Sequence, residues 1–240
     1  MFLVLALVSV PFAYDGALKP GQSLTIRDIN GSVRVRTGDR LAIRATKHAE
    51  RSDPNEVAIH VENRPNGIVV CVRYPPEANR PCDEHRYFRG NNNGNHNDTA
   101  VDFDVTVPHG IALDAATVNG SVDAVNDGPA DASTVNGAVR IEGRDVRTAK
   151  TVNGSVTVRV LDRGTGSLEA STVNGSVDVS LPPGSGANVH AKTLTGGISA
   201  DGLTVERPRY GPGASADGTL GDGARRINLE TVNGSITLRR

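Results

Sequence analysis

The sequence predicts an all-β fold, and in particular a β-solenoid of short coils. A hexapeptide, Thr-Val-Asn-Gly-Ser-Val or a close variant, recurs along the chain. The residues on both sides of each copy alternate between apolar and polar, which indicates strands. The 240 residues include 27 Gly and 13 Pro, a composition that suits many turns and few long helices.

The spacing of the copies defines the organisation of the chain. Close copies occupy 117–122, 134–139, 151–156, 172–177 and 231–236, and looser copies occupy 28–33 and 193–198. From Asn119 to Thr195 the central residues are 17, 17, 21 and 21 residues apart, and Asn233 follows after a further 38. Because the joining segments vary and the hexapeptide does not, the hexapeptide is the structural element.

One apolar face continues through each copy. Around Asn174 this face consists of Leu168, Ala170, Thr172, Val177, Val179 and Leu181. The first copy gives Leu24, Ile26, Val33 and Val35, and the last gives Ile227, Leu229, Thr231, Ile236 and Leu238. Because the alternation of apolar and polar residues continues on both sides of the motif, we expect a strand on each side of it.

The motif centres are the predicted structural turns: Asn30, Gly31, Asn119, Gly120, Asn136, Gly137, Asn153, Gly154, Asn174, Gly175, Asn233 and Gly234. They allow two geometries. In an antiparallel hairpin meander or sandwich, each Asn-Gly forms a type I′ turn with positive φ at both residues. In a solenoid, the copies stack about 4.8 Å apart and their Asn side chains form amide ladders. Stacking is favoured because the whole hexapeptide recurs. A hairpin requires only the Asn-Gly pair, and the residues on either side of the pair could then differ from copy to copy.

The chain divides into an apolar N-terminus and one domain. Residues 1–13 contain an apolar run too short to span a membrane, which predicts a signal peptide or an apolar anchor. A buried first strand is the alternative. Residues 20–240 are predicted to form a single β-solenoid domain with a polar loop at 78–100 and a Gly/Pro-rich loop at 206–226. N-terminal strands are expected to cap one end of the stack, and Arg239 and Arg240 the other.

Cys71 and Cys82 flank a Pro-rich turn between two strand-like runs. Neither belongs to a metal-binding or redox motif of the Cys-x-x-Cys type. If the chain is exported, we expect these two residues to form a structural disulfide, since oxidising compartments permit such bonds.

The repeats and the stretch that leads into them, Val-Asp-Phe-Asp-Val-Thr-Val-Pro at 101–108, resemble the bacterial putative-adhesin β-strand-repeat family, DUF4097. The resemblance covers roughly residues 20–240 and is strongest over 101–200. It implies a right-handed β-solenoid that is exported or tethered to a membrane. The family has no catalytic motif to carry over to this sequence.

Two sets of polar residues are candidate sites. An oxygen-rich group resembles a Ca²⁺ site in composition but matches no known ligand spacing, so a solvated loop is favoured; it comprises Asp83, Glu84, His85, His96, Asp98, Asp102 and Asp104. Asn97 and the repeat Asn-Gly-Ser triplets match the N-glycosylation pattern. In the repeats the turn already accounts for Asn-Gly, which leaves Asn97 as the better acceptor.

Composition and motifs together predict a non-enzymatic protein. A net charge of −1, 3% aromatic residues and no Trp argue against nucleic-acid binding. We expect no cofactor, no bound metal and no membrane span. The predicted function is that of an adhesin or cell-envelope scaffold in the periplasm, at the cell surface or outside the cell, with a surface glycan or an envelope protein as partner. A signalling accessory domain is another interpretation.

The main alternative is a polysaccharide lyase or hydrolase on the same fold, since such enzymes place carboxylates on one exposed sheet face. The candidate carboxylates are Asp123, Asp131, Glu142, Glu169 and Asp178.

Overall fold

The computed structural model describes residues 8–82, 97–209 and 211–240. These residues form eighteen strands and one short 3₁₀-helix (Pro54–Glu56), with no α-helix among them, and the all-β prediction is confirmed. The strands are β1 (Val8–Gly16), β2 (Ser23–Arg27), β3 (Val33–Gly38), β4 (Leu41–Ala49), β5 (Ala58–Arg64), β6 (Gly67–Arg73), β7 (Ala100–Pro108), β8 (Ala112–Ala116), β9 (Val122–Ser133), β10 (Val139–Lys150), β11 (Val156–Val160), β12 (Gly166–Asn174), β13 (Val177–Ser180), β14 (Ala187–Thr195), β15 (Ile198–Ala200), β16 (Ala214–Leu220), β17 (Arg225–Asn233) and β18 (Ile236–Arg239).

All eighteen strands belong to one hydrogen-bonded sheet, which consists of two ladders that meet at the hexapeptides. The first ladder contains the strands that lead into the hexapeptides together with β5, β6 and β16, in the order β5-β6-β2-β8-β9-β10-β12-β17-β14-β16. The second ladder contains the strands that leave the hexapeptides together with β1, β4 and β7, in the order β1-β4-β7-β3-β9-β10-β11-β13-β18-β15. Because β9 and β10 are long, each takes part in both ladders.

The strands next to the hexapeptides pair in parallel and in register. Thr172 lies beside Thr231, and Val177 lies beside Ile236. Antiparallel pairs occur towards the ends of the ladders, between β1 and β4, β4 and β7, β5 and β6, and β14 and β16. Like residues of successive copies therefore sit next to one another.

The copies do not stack in chain order. The bridged residues follow the sequence Asn30, Asn119, Asn136, Asn153, Asn174, Asn233 and Thr195. The last copy in the chain thus lies between the two copies before it. The expectation that Arg239 and Arg240 cap an end of the stack is wrong, because β18 pairs with β13 on one side and with β15 on the other.

The predicted loop at 206–226 is also wrong in part. It contains β16 and the first two residues of β17. Strand β16 pairs antiparallel with β14 and forms the edge of the first ladder. The physical reason is the return of the chain: after β15 it must travel back past β14 to place β17, and the strand on that route pairs with β14.

The apolar face predicted from the alternation is confirmed. The members listed for the first copy, for the copy around Asn174 and for the last copy are all buried, and their apolar side chains form one continuous core. Each fully buried Val, Leu or Ile side chain contributes about 1.5–3 kcal/mol before entropy costs. A single copy buries few such side chains, so its stability depends on the neighbouring copies.

Strand β1 overlaps the N-terminal apolar segment at residues 8–13. It pairs antiparallel with β4, and Phe12 and Tyr14 pack against the core. Its outer side chains at Ser9, Pro11 and Ala13 are exposed. In the described ranges, no helix has the length and apolar character that crossing a membrane requires. Of the predicted polar loop at 78–100, residues 83–96 lie outside the described residues.

Candidate functional site

The threonine that begins every hexapeptide except the first is buried and links two neighbouring copies. The Thr172 hydroxyl donates a hydrogen bond to the Gly154 carbonyl oxygen at 2.9 Å, and Thr231 donates to Gly175 at 3.0 Å. The equivalent bonds join Thr117 to Gly31, Thr134 to Gly120, Thr151 to Gly137 and Thr193 to Gly234. The repeated threonine is therefore a structural group whose hydroxyl is already occupied.

The asparagines form a continuous ladder of side-chain hydrogen bonds, which we call the amide ladder. Each Asn side-chain nitrogen donates to the Asn side-chain oxygen of the next copy over 2.7–2.9 Å, in the order Asn233, Asn174, Asn153, Asn136, Asn119 and Asn30. The Thr195 hydroxyl donates to Asn233 at 2.6 Å and continues the ladder by one member. Each amide keeps a second N–H and a second lone pair for solvent or a ligand.

The glycines allow neighbouring copies to approach closely. A Cβ atom at Gly175 would lie 2.0 Å from the Gly154 carbonyl oxygen. At Gly175 φ is +154°, and no described non-glycine residue has a positive φ. The Asn-Gly pairs are therefore not type I′ turns, which need positive φ at both residues. Contact with the backbone of the next copy is what requires glycine here.

A row of aliphatic side chains points outward beside the amide ladder, and we call it the aliphatic row. It contains Val118, Val135, Val152, Val173, Val232 and Leu194. Val152 and Val173 are each 39% exposed and Leu194 is 55% exposed. At the other end Ile29 is half-buried, because it packs against the cluster around Cys71 and Cys82. The outward surface at the hexapeptides thus combines a line of methyl groups with a line of carboxamides.

The five candidate carboxylates for an enzyme all lie next to basic residues of neighbouring copies. Four form ion pairs: Asp131 with Arg147 (2.6 Å), Glu169 with Lys150 (2.7 Å), Glu142 with Arg159 (3.4 Å) and Asp178 with Arg239 (3.9 Å). The fifth, Asp123, lies in register between Arg34 and Arg140. These pairs balance charge across the sheet.

Two carboxylates of the first ladder are direct register neighbours, Asp114 and Asp131. Arg27 forms a bidentate ion pair with Asp114, as Arg147 pairs with Asp131. Both carboxylates lie on the outer face of the sheet, and each has its own guanidinium partner.

Asp28 is a buried carboxyl group in the position that threonine occupies in the other copies. One of its oxygens accepts a hydrogen bond from the Thr117 hydroxyl at 3.3 Å, and the other has no partner. Burial raises the pKa of Asp28 to about 7. Burial also raises the pKa of nearby Tyr74, and the charge of Asp28 adds to this effect.

Asp28 is not among the candidate residues predicted from the sequence. The signal was present in the looser copy at 28–33, which differs from the other Asn-Gly copies by having Asp in place of Thr at the first position. A charged residue at a position otherwise reserved for a buried hydroxyl marks a departure from the repeat.

The residues of the predicted Ca²⁺ candidate have separate roles where they are described. Asp102 accepts hydrogen bonds from the Ser32 backbone N–H (2.8 Å) and hydroxyl (2.6 Å). Asp98 accepts from the backbone N–H groups of Ser52 and Arg51, and the bond from Ser52 contributes most to lowering its pKa. Asp104 is exposed on β7. In the described ranges, no three His, Cys, Asp or Glu side chains are grouped to hold a metal ion.

The other members of that candidate, Asp83, Glu84, His85 and His96, lie outside the described residues. Asn97, the predicted glycosylation acceptor, donates its side-chain amide to Glu56 at 3.2 Å.

The structure joins Cys71 and Cys82 in a disulfide. Cys71 lies on β6, and Cys82 lies in the segment after it. Hydrogen bonds hold this segment against β5: the Cys82 backbone N–H donates to Glu62 at 2.6 Å, and Arg64 donates to the Cys82 carbonyl at 2.6 Å. The disulfide thus fixes the start of the polar segment to the first ladder.

Comparison with known proteins shows a shared fold. No protein-family model and no curated protein matches the chain. Among solved structures, a putative cell adhesion protein from Clostridium sporogenes is similar at a TM-score of 0.50 and 14% identity, over 96% of this chain and 99% of that one. A putative adhesin from Bacteroides fragilis gives a TM-score of 0.28 and 9% identity, over 95% and 97% of the two chains. The first similarity establishes that the fold recurs in solved proteins.

Proposed function

We propose that the chain is an exported, non-enzymatic β-solenoid that serves as an adhesin-like binding or scaffold module of the cell envelope. In this proposal the two ladders are two faces of a coil that turns at each hexapeptide. Parallel, in-register pairing of six strand segments in succession, from β2 to β17 in the first ladder, supports it. The solved protein of the same fold described as a cell adhesion protein adds support for the functional class.

The observation that carries the proposal is the use of the repeated side chains. The motif threonines and asparagines bond to neighbouring copies, and four of the five candidate carboxylates are ion-paired across strands. What the repeats present outward is an extended regular surface, namely the aliphatic row and the free sides of the amide ladder. Such a surface suits contact with an extended partner, for which we propose a surface glycan or an envelope protein.

Export is part of the proposal, and the disulfide supports it, because disulfides persist in oxidising compartments. The N-terminal apolar segment would direct export. Cleavage after Ala13 would remove six of the nine residues of β1. N-terminal sequencing of protein recovered from the periplasm or the medium tests this point: a start after Ala13 means that the mature fold lacks most of β1.

Binding is tested with glycan arrays and immobilised envelope proteins. Val152→Lys and Val173→Lys each introduce a charge into the aliphatic row, and we expect at least a tenfold loss of affinity for the bound probe. Leu161→Lys is the matched control, because Leu161 is also an exposed aliphatic residue (47%) but lies outside the row. If the native protein and the three variants bind equally, or if none of them binds, the proposal that the aliphatic row is a binding surface is wrong.

The polysaccharide-active alternative is tested in parallel. If the chain were a lyase or hydrolase, it would release reducing ends from an envelope polysaccharide, and Asp131→Asn or Asp114→Asn would abolish the release. The ion pairs of both residues with arginine argue for a structural role instead.

A further inference from the structure

The last copy of the hexapeptide occupies a slot between two earlier copies, and this arrangement concerns assembly rather than the proposed binding function. We define the C-terminal coil as β17, the corner at 233–235 and β18. It separates the coil of β12 and β13 from the coil of β14 and β15. The chain therefore leaves one strand-wide slot when it passes from β13 to β14, and fills it later with β17 and β18.

The two walls of the slot present the same register to the C-terminal coil. Thr231 pairs with Thr172 on one wall and with Thr193 on the other. Asn233 lies beside Asn174 on one wall and Thr195 on the other. The wall residues are fixed by their own coils, so recognition of the C-terminal coil does not depend on the segment that connects it.

The bonds at the corner of the slot involve both walls. The backbone N–H of Gly175 donates to the Asn233 carbonyl, and the Gly234 N–H donates to the Thr195 carbonyl, both at 2.9 Å. The hydroxyls of Thr231 and Thr193 add one bond on each side, at 3.0 and 2.9 Å. Without the coil, two strands of nine residues would expose unpaired edges, which is the condition that favours pairing with another chain.

The connection to the C-terminal coil is short and separate from it. Residues 221–224 link β16, on the outer side of β14, to β17, on its inner side. Within this link Gly221 and Gly223 have φ values of +55° and +69°. A short link held in a left-handed conformation is a typical hinge for the exchange of identical elements between chains.

From these relationships we propose that the slot also accepts the C-terminal coil of a second copy of this chain, so that two copies assemble by exchanging β17 and β18. Every bond made in the slot is the same whichever chain supplies the coil. Exchange requires the hinge to extend and the two chains to meet while their slots are open. It is therefore a concentration-dependent event that occurs during folding or after partial opening.

The test uses two single-cysteine variants, each added to the native cysteine pair. Ser171 and Glu230 are register neighbours on the outward side of the slot, at a separation that a disulfide can span. One chain carries S171C and the other carries E230C. The mixture is unfolded, refolded at a protein concentration near the ~1 mM effective concentration of a short linker, and then oxidised.

We expect a covalent heterodimer whose S171C–E230C peptide is identified by mass spectrometry. The matched control mixes S133C and K150C chains, since Ser133 and Lys150 have the same register relationship within β9 and β10, which are not exchanged. The double variant S171C/E230C must form its bond within one chain at low concentration, which shows that the pair can react. Heterodimer no more abundant than in the control mixture would overturn the proposal.

Discussion

Asn233 donates its side-chain amide to the Asn174 side chain at 2.8 Å, across 59 residues of sequence. The next copy in the chain after Asn174 is centred on Thr195, and it lies on the far side of Asn233. The Thr195 hydroxyl donates a hydrogen bond to the Asn233 side chain. This relationship fixes the order of the copies and makes the C-terminal coil an internal part of the stack.

The hexapeptide glycines are predicted to tolerate no side chain. Gly175→Val places a Cβ atom 2.0 Å from the Gly154 carbonyl oxygen, and the backbone of the neighbouring copy must move. We expect a loss of more than about 2 kcal/mol in the free energy of unfolding. Gly197→Ala is the control, because nothing lies within 4 Å of its added Cβ. Chemical denaturation compares the two, and equal stability of the variants would contradict the close approach.

The buried threonine hydroxyls are predicted to stabilise the stack. Thr172→Val keeps the shape of the side chain but removes the bond to the Gly154 carbonyl, and we expect a loss of about 1 kcal/mol. Thr157→Val is matched in chemistry, but its side chain is exposed on β11, and its unfolding free energy should change by less than about 0.5 kcal/mol. If Thr172→Val is as stable as the native protein, the hydroxyl bond has no structural role.

Asp28 is predicted to make stability depend on pH. Its pKa is raised from 3.8 to about 7 in the folded protein, mainly by burial, so the folded state binds the proton more tightly than the unfolded state. The contribution of the neutral form to stability is fully present below about pH 4 and is lost as the pH rises through about 7. The neutral variant Asp28→Asn should therefore gain stability relative to the native protein between pH 5 and pH 8.

Denaturant unfolding at the two pH values measures this difference. The control is Asp104→Asn, which changes an exposed carboxyl group on β7 and should show the same difference from the native protein at both pH values. A pH-independent effect of Asp28→Asn would mean that Asp28 is ionised throughout this range in the folded protein.

The alternation of charge across the second ladder is predicted to matter for stability. Arg34 lies in register between Asp104 and Asp123. Arg34→Asp would place three carboxylates side by side, and we expect a loss of up to about 1 kcal/mol that shrinks at high salt. Arg36→Asp makes the same change between Thr106 and Val125 and should cost less. Equal, salt-independent losses for the two variants would show that charge order has no effect.

Local structure was predictable from the sequence because the alternation records which side chains are buried. The face of Leu168, Ala170, Val177 and Val179 is buried as expected, since a strand places every second residue on the same side. The motif glycines were predicted only as turn residues, whereas the structure shows each one after the first in close contact with the backbone of a neighbouring copy. Their role depends on the distance to the next copy, which no single copy encodes.

The order of stacking was not predictable from the sequence. The copies centred on Asn174, Asn233 and Thr195 have similar flanking residues. Each of these copies could therefore pair in register with either of the other two, and the sequence does not show which order is adopted. Asp28 was missed although it stands where the other copies have a buried threonine, and its hydrogen-bond partner Thr117 lies 89 residues away in the chain.

The most direct test of the account is the hydrogen-bond partner of the Gly175 backbone N–H, measured by NMR as the scalar coupling across the hydrogen bond. The structure predicts a coupling between the Gly175 nitrogen and the Asn233 carbonyl carbon, whose N–H···O distance is 2.9 Å. A coupling to the Thr195 carbonyl carbon instead would show that the copies stack in chain order. Antiparallel pairing of Thr172 with Val177 would contradict the parallel ladders altogether.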